Sequence, residues 1–395
     1  MIKIKRRRKK RNPFYDASLK KRHKSAKRFK RFTLTSLIFS VAFLAFFLFD
    51  MTTKAIPAFN IAYIKVDVSF NEKSLEDTRF AVSKEYRALV SRVALRDIPN
   101  ILKENPEYLN STQSLWLLAN SQVDQYLKNH NNTLKDKEIA LVEELKNNNL
   151  IENRFNTLFF INGDSKIPEN AGFFSSIIGS ILTLIITMAV AFPIGVMTAI
   201  YLEEFASDNK FTRFIEININ NLAAIPSILF GLLGLAIFIN LFGLPRSSPL
   251  VGGLTLALMT LPIIIVSSRA ALRAVPDSIR QAGYGLGLNK IQVTKDHVLP
   301  LAFPGIMTGS IIGLAQAMGE TAPLIIIGMI AFIPDAPNMI TSAATVMPAQ
   351  IFTWAGMPEG MYIEKTAAGI LVLLSILISL NAVAIYLRKK FEVKW

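Results

Sequence analysis

The 395 residues contain no cysteine and only three histidines, His23, His130 and His297, which lie far apart in the chain. Without cysteine there is no disulfide framework, no thiol chemistry and no thiolate metal site, and the histidines are too scattered to suggest an imidazole site. No Gly-Lys dipeptide occurs, so the chain has no P-loop and cannot bind ATP in the Walker manner. His-Glu-x-x-His and the nucleophile elbow are missing as well. These absences exclude a stand-alone enzyme of the common hydrolytic kinds, and no metal or cofactor of the chain's own is expected.

What the chain has in abundance is apolar residues, 51% of the total, with a positive mean hydropathy, which argues for a membrane class. The formal charge of +15 is confined to one place. Residues 1–31 hold 16 of the 44 Lys and Arg but only one acid, Asp16, which leaves 28 residues of each sign in the remainder. A nucleic-acid-binding arm is one reading of such a tail. Its position directly before an apolar run favours the other, a cytoplasmic tail that obeys the positive-inside rule and touches anionic lipid headgroups. Membrane lipids are therefore expected partners, and nucleic acid is not.

The first apolar run, 32–49, is just long enough to cross a bilayer. It exceeds the usual core of a signal peptide and no clean small-x-small site follows Asp50, so an uncleaved anchor is expected. Residues 50–170 are polar. Tyr63–Val68 alternates like a strand, and 75–95, 115–127 and 135–145 show helical spacing. The Asn-rich patches 129–132 and 147–149 read as loops. A small α+β domain is expected here. From 171 onward the chain is mostly apolar, with candidate spans 173–202, 222–242, 250–268, 304–333 and 367–387.

Together with the anchor this makes an all-α membrane protein of six spans, with the α+β domain outside, between spans 1 and 2. An even number of spans brings both termini to the cytoplasm, and Arg388-Lys389-Lys390 in the tail 388–395 agrees. The loop 269–299 carries Arg269, Arg273, Arg280, Lys290 and Lys295 against Asp277 and Asp296, and also falls inside. In that loop Pro276 suits the first position of a helix, Asp277 its first turn and Gly287 its left-handed end, so 276–287 reads as one short helix. A helix this short, weakened by Gly283 and Gly285, needs support from neighbouring spans or from a partner. A solvated connecting loop is the alternative.

The stretch Arg280-Gln281-Ala282-Gly283, three residues, Gly287, nine residues, then His297-Val298-Leu299-Pro300 resembles the "EAA" loop of ABC-importer permeases. Ala282, Gly287, Leu299 and Pro300 keep the family's register, while Gln281, Gly283 and His297 depart from it. Further segments over 171–387 narrow the resemblance to phosphate-importer permeases of the PstA type. They are Ala199-Ile200-Tyr201-Leu202-Glu203-Glu204, Ile225-Pro226-Ser227-Ile228, Pro304-Gly305-Ile306-Met307-Thr308-Gly309 and Gly319-Glu320-Thr321-Ala322-Pro323-Leu324.

The resemblance implies a plasma (inner) membrane permease for inorganic phosphate that works by alternating access. It also implies a homologous second permease (PstC type), two ATPase subunits (PstB type) that use ATP with Mg, and a soluble phosphate-binding protein (PstS type). Another oxyanion, sulfate or molybdate, is the rival substrate, and a membrane-anchored sensor is the rival class. Arg280, Gln281, Ala282, Gly283, Gly287, Leu299 and Pro300 would couple to the ATPase.

Pro193, Pro226, Pro262 and Pro323 fall inside apolar spans, where each permits a kink. Glu320 falls in an apolar span too, where a carboxylate is costly unless it pairs, faces water or takes up a proton. It could line the pathway, pair with a cation of a second permease, or hydrogen-bond between helices. Close relatives carry an arginine one turn earlier, where this chain has Gln316, which could hydrogen-bond Glu320 at that spacing. With Gly319, Thr321, Pro323, Pro226 and Ser227 these residues form the expected gating set.

Overall fold

A computed structural model describes residues 18–330 and 332–391, which fall into two compact units dividing at Thr53. The first is essentially one helix, α1 (Leu19–Ala55), of 37 residues, whose basic N-terminal third runs without a break into the apolar run. Residues 1–17 of the predicted basic tail and 392–395 at the other end lie outside the described residues.

The second unit begins with a three-stranded antiparallel sheet in the order β2-β1-β3, from β1 (Asn60–Ser69), β2 (Thr112–Leu118) and β3 (Ile151–Phe155). Alternation along β1 sends Ile64, Val66 and Val68 into a core and leaves Tyr63, Lys65 and Asp67 on the other face. Helices α2 (Arg92–Glu104), α3 (Ser121–Leu127) and α4 (Asp136–Asn147) supply Leu95, Ile98, Val123, Val142 and Leu145 to that core. Ser91 and Asn120 start α2 and α3 by accepting the orphan N–H groups of Val93 and Val123. The helix expected over 115–127 forms only from Ser121 onward. Residues 112–118 pair with β1 through Lys65 opposite Trp116, and the helix begins only after the Asn120 cap. The segment 75–95 is likewise broken into short turns before α2 starts at Arg92.

Further helices follow: the apolar α5 (Phe174–Ile200), the amphipathic α6 (Lys210–Leu222), and the apolar α7 (Ser227–Gly234) and α8 (Pro249–Arg273). Then come α9 (Asp277–Gly285), α10 (Leu299–Gly319), α11 (Ala322–Ile326), α12 (Met347–Ala355) and α13 (Gly360–Phe391). Among the described residues five helices are long and apolar enough to cross a membrane, or six if the pair 210–222 and 227–241 is one broken span. Small residues let these helices approach closely: a Cβ on Gly253 would stand 2.6 Å from Ile186, and one on Gly195 2.7 Å from Ile264.

Three expectations for this region change. The span drawn at 222–242 starts at a sharp bend, where the chain turns by 104° between α6 and α7. Pro226 caps α7 rather than kinking a helix, since it lacks an N–H and restricts Ile225 before it. The span drawn at 304–333 is continuous only to Gly319, and Pro323 sits in the first turn of the short helix α11. Pro193 and Pro262 do lie inside helices.

Buried polar contacts seat the sheet region on the helices. Glu364 of α13 accepts from Gln125 Nε2 (2.6 Å) and Lys128 Nζ (3.1 Å) and meets His130 Nδ1 at 2.8 Å. The Trp354 indole donates to Asp164 (2.8 Å), and buried Lys365 donates to the carbonyls of Pro168 (2.6 Å) and Ala171 (2.5 Å). Burial pushes the Asp164 carboxyl up to about 6, partly offset by the Trp354 hydrogen bond.

Candidate functional site: a stapled loop and a broken helix

Three arginines follow or end α8, and two adjacent glutamates end α5. Glu203 and Glu204 stand in a π-helical turn, Tyr201–Phe205, which widens the helix end and sets the Glu203 carboxylate against α8 and the Glu204 carboxylate against α9. Glu203 takes Arg273 Nε at 2.7 Å and Arg269 Nε at 3.4 Å, and Arg269 also binds Glu216 of α6.

Arg280 on α9 reaches Glu204 at 2.6 Å and donates to the carbonyls of Val275 (2.8 Å) and Leu272 (3.0 Å). Its side chain is 15% exposed and that of Glu204 only 4%. The hydrogen bond to Glu204 raises the Arg280 pKa, so its charge is permanent. One side chain therefore ties the loop helix to the ends of two long helices.

The helix itself runs over Asp277–Gly285. Pro276 is its N-cap, with φ −57° and ψ 138°, rather than its first helical residue, because the extended ψ lets Asp277 begin the turn. Gln281 Nε2 donates to Asp277 (2.8 Å), one turn earlier. Gly287 takes φ +83°, the left-handed end expected of it, and the Leu288 N–H closes the helix on the Gly283 carbonyl (3.2 Å). The chain then restarts at Asn289 with a reciprocal cap to Gln292 and passes through another π-helical turn, Val293–Val298, into α10.

Gly283 is buried because Val293 packs on it: a Cβ there would meet Val293 Cγ2 at 2.8 Å. The close neighbour at Gly283 is thus this chain's own, whereas Gly285 faces open space. A cavity of about 400 Å³ separates α9 from the start of α10 and brings Ala282, Gly283, His297 and Pro300 together with Leu286. Leu299 turns instead toward the core formed by Leu272, Val275 and Val298. The residues that sequence reasoning passed over are Tyr284, Leu286 and Ile291, which are 45%, 80% and 65% exposed. Their signal was available as large apolar side chains inside an otherwise polar loop. Glu203 and Glu204 were quoted as a motif, but nothing in their spacing ties them to arginines 66 to 76 residues away.

The second group gathers at the break after α10. Glu320 has left the helix, with φ −76° and ψ 125°, and is half-buried rather than enclosed in a span. Gln316 and Gly319 are exposed, and among the described residues no hydrogen bond or ion pair joins Glu320 to Gln316 or to any other side chain. The expected one-turn contact is not made because Glu320 is not helical. Thr321 caps α11, whose Pro323 is buried against Gly231 of α7, where a Cβ would lie 2.7 Å from Pro323 Cα. Pro226 and Ser227 start α7, so the break after α10 and the bend before α7 meet through the Gly231–Pro323 contact.

Comparison with known proteins gives matches over the helical part and over the N-terminal third. The family described as "Binding-protein-dependent transport system inner membrane component" matches residues 191–393, and a domain of unknown function (DUF3333) matches 16–85 and 76–136. The probable ABC transporter permease protein YqgI of Bacillus subtilis is 33% identical over 168 residues, 42% of this chain and 56% of that one. The phosphate transport system permease protein PstA of Mycobacterium leprae is 35% identical over 163 residues, 41% of this chain and 53% of that one. PstA of Yersinia pestis is 31% identical over 230 residues, 56% of this chain and 76% of that one. The chain spans about half the length of the first two of these relatives. A solved inward-facing form of the MetNI methionine ABC transporter matches with a TM-score of 0.45 at 15% identity, over 56% of this chain and 98% of that chain.

Proposed function

The chain belongs to the family of binding-protein-dependent transport system inner membrane components, and from that premise we propose that it is the membrane permease of an ATP-driven importer of inorganic phosphate. The substrate rests on relatives described as phosphate transport permeases. The observation that carries the mechanism is the Arg280–Glu204 contact, which fixes a short exposed helix to the ends of α5 and α8. A push on α9 from a soluble partner would reach both helix ends at once, because a buried charge pair with two further backbone contacts resists sliding. Leu286, Tyr284 and Ile291 offer the apolar contact such a partner needs.

On this reading ATP with Mg is bound and hydrolysed by two separate ATPase subunits of the PstB type, and this chain hydrolyses nothing. A homologous second permease of the PstC type completes the pathway, and a PstS-type binding protein delivers phosphate from outside. Both termini lie in the cytoplasm, residues 50–170 lie outside, and the bent pair α6–α7 counts as one of six spans. Glu320, Gln316, Gly319 and Thr321 form the flexible joint of the pathway, and the Pro323–Gly231 contact transmits its movement to α7 and so to Pro226 and Ser227.

Labelled-phosphate uptake in cells lacking this chain, and in cells with it restored, tests the proposal. Uptake that returns only with the chain, and resists excess sulfate and molybdate, is the expected result. Competition by sulfate or molybdate would replace the substrate while leaving the coupling mechanism in place.

A further inference from the structure

A cavity of about 520 Å³ lies where the sheet region meets the turn before α5 and the start of α13. Arg87, Arg92 and Lys166 line it, together with the polar side chains of Asn120 and Gln122 and two acids, Glu169 and Glu359. Among the described residues none of the three bases has a carboxylate within 4 Å. Arg87 Nε is buried without a hydrogen-bond partner, while the rest of its guanidinium rests over the Phe80 ring at 5.4 Å. A buried charged donor left without an acceptor is unfavourable and calls for an occupant.

The acids do not cancel the bases. Glu169 sits in the 168–170 turn, beside the buried Lys365 ammonium, which the Pro168 and Ala171 carbonyls hold rather than the Glu169 carboxylate. Among the described residues neither Glu169 nor Glu359 has a cation within 4 Å, and Glu359 Oε2 is buried without a hydrogen-bond partner, so two acids face three bases and one positive charge is left over. Guanidinium groups suit a tetrahedral oxyanion because their paired N–H donors match two of its oxygens. We propose that this cavity binds a phosphate oxyanion, free or at the head of a phospholipid, through Arg87 and Arg92 with Lys166 at its edge. The site is separate from the coupling loop and does not depend on what the helical core carries.

The purified full-length chain in an uncharged detergent is titrated with inorganic phosphate by calorimetry, and its retained lipids are read by native mass spectrometry. Saturable phosphate binding without retained phospholipid assigns the free anion. A phospholipid retained by the wild type and lost in the double variant Arg87→Gln/Arg92→Gln assigns the headgroup. In either case the double variant is expected to weaken binding at least tenfold, and Arg79→Gln, whose guanidinium already pairs with Asp77, to leave it unchanged. Glu359→Gln removes one opposing carboxylate and is expected to tighten binding, a gain that misfolding does not produce. If neither ligand depends on Arg87 and Arg92, or if Glu359→Gln weakens binding, the proposal fails.

Discussion

Replacing Arg280 by alanine removes one partner of a pair whose other member, Glu204, is 4% exposed. The carboxylate then stays buried without its counter-charge, and the Val275 and Leu272 carbonyls lose a donor. Breaking a buried pair from one side costs roughly 3–5 kcal/mol, and the 15% exposure of Arg280 argues for the lower end. A loss of about 3 kcal/mol multiplies the open population of the loop roughly a hundredfold.

The first assay is amide hydrogen exchange over 275–290, in which protection should fall by about two decades relative to α8. Phosphate uptake should fall with it while the protein still inserts at normal levels. The double variant Arg280→Ala/Glu204→Leu removes the stranded charge as well, so it should recover part of the protection but not the uptake. Wild-type protection and wild-type uptake in a stably inserted Arg280→Ala protein would refute the claim that this pair holds the loop.

Leu286→Glu should leave exchange and expression unchanged, because the side chain is 80% exposed, yet abolish uptake and association with the ATPase in pull-downs. Gly231→Val places a Cβ 2.7 Å from the Pro323 backbone, which cannot yield as a side-chain tip would; overpacking of about 1–3 kcal/mol should appear as a lowered Tm together with lost uptake. Asp164→Asn tests the buried carboxyl. Since its folded pKa of about 6 lies above the usual carboxylate value, the folded state holds the proton more tightly, and stability falls as pH rises from about 4 to 6. The asparagine variant should therefore lose that slope, and at pH 7 it should gain on the order of 3 kcal/mol, read as Tm against pH.

Elements whose causes are local were legible from the residues alone. Apolar run length marked the helices α1, α5, α8 and α13, the alternation of 63–68 marked β1, and Pro276, Asp277 and Gly287 marked the short loop helix to within a residue at its start. Those are consequences of side-chain periodicity and of two special backbones, and they need no neighbour. The tertiary structure decided what depends on residues distant in the chain. Glu203 and Glu204 found their arginines 66 to 76 positions away because a π-helical turn and the packing of α5 on α8 brought the helix ends together.

Hydropathy likewise could not tell a straight span from a bent one. The segments 222–242 and 304–333 are mostly apolar, yet the first begins at a turn and the helix of the second stops before Glu320. Apolar content reports transfer out of water, not the direction of the helix axis. That direction came from Pro226 at one break and from the fit of Pro323 against Gly231 at the other, a contact that only folding creates.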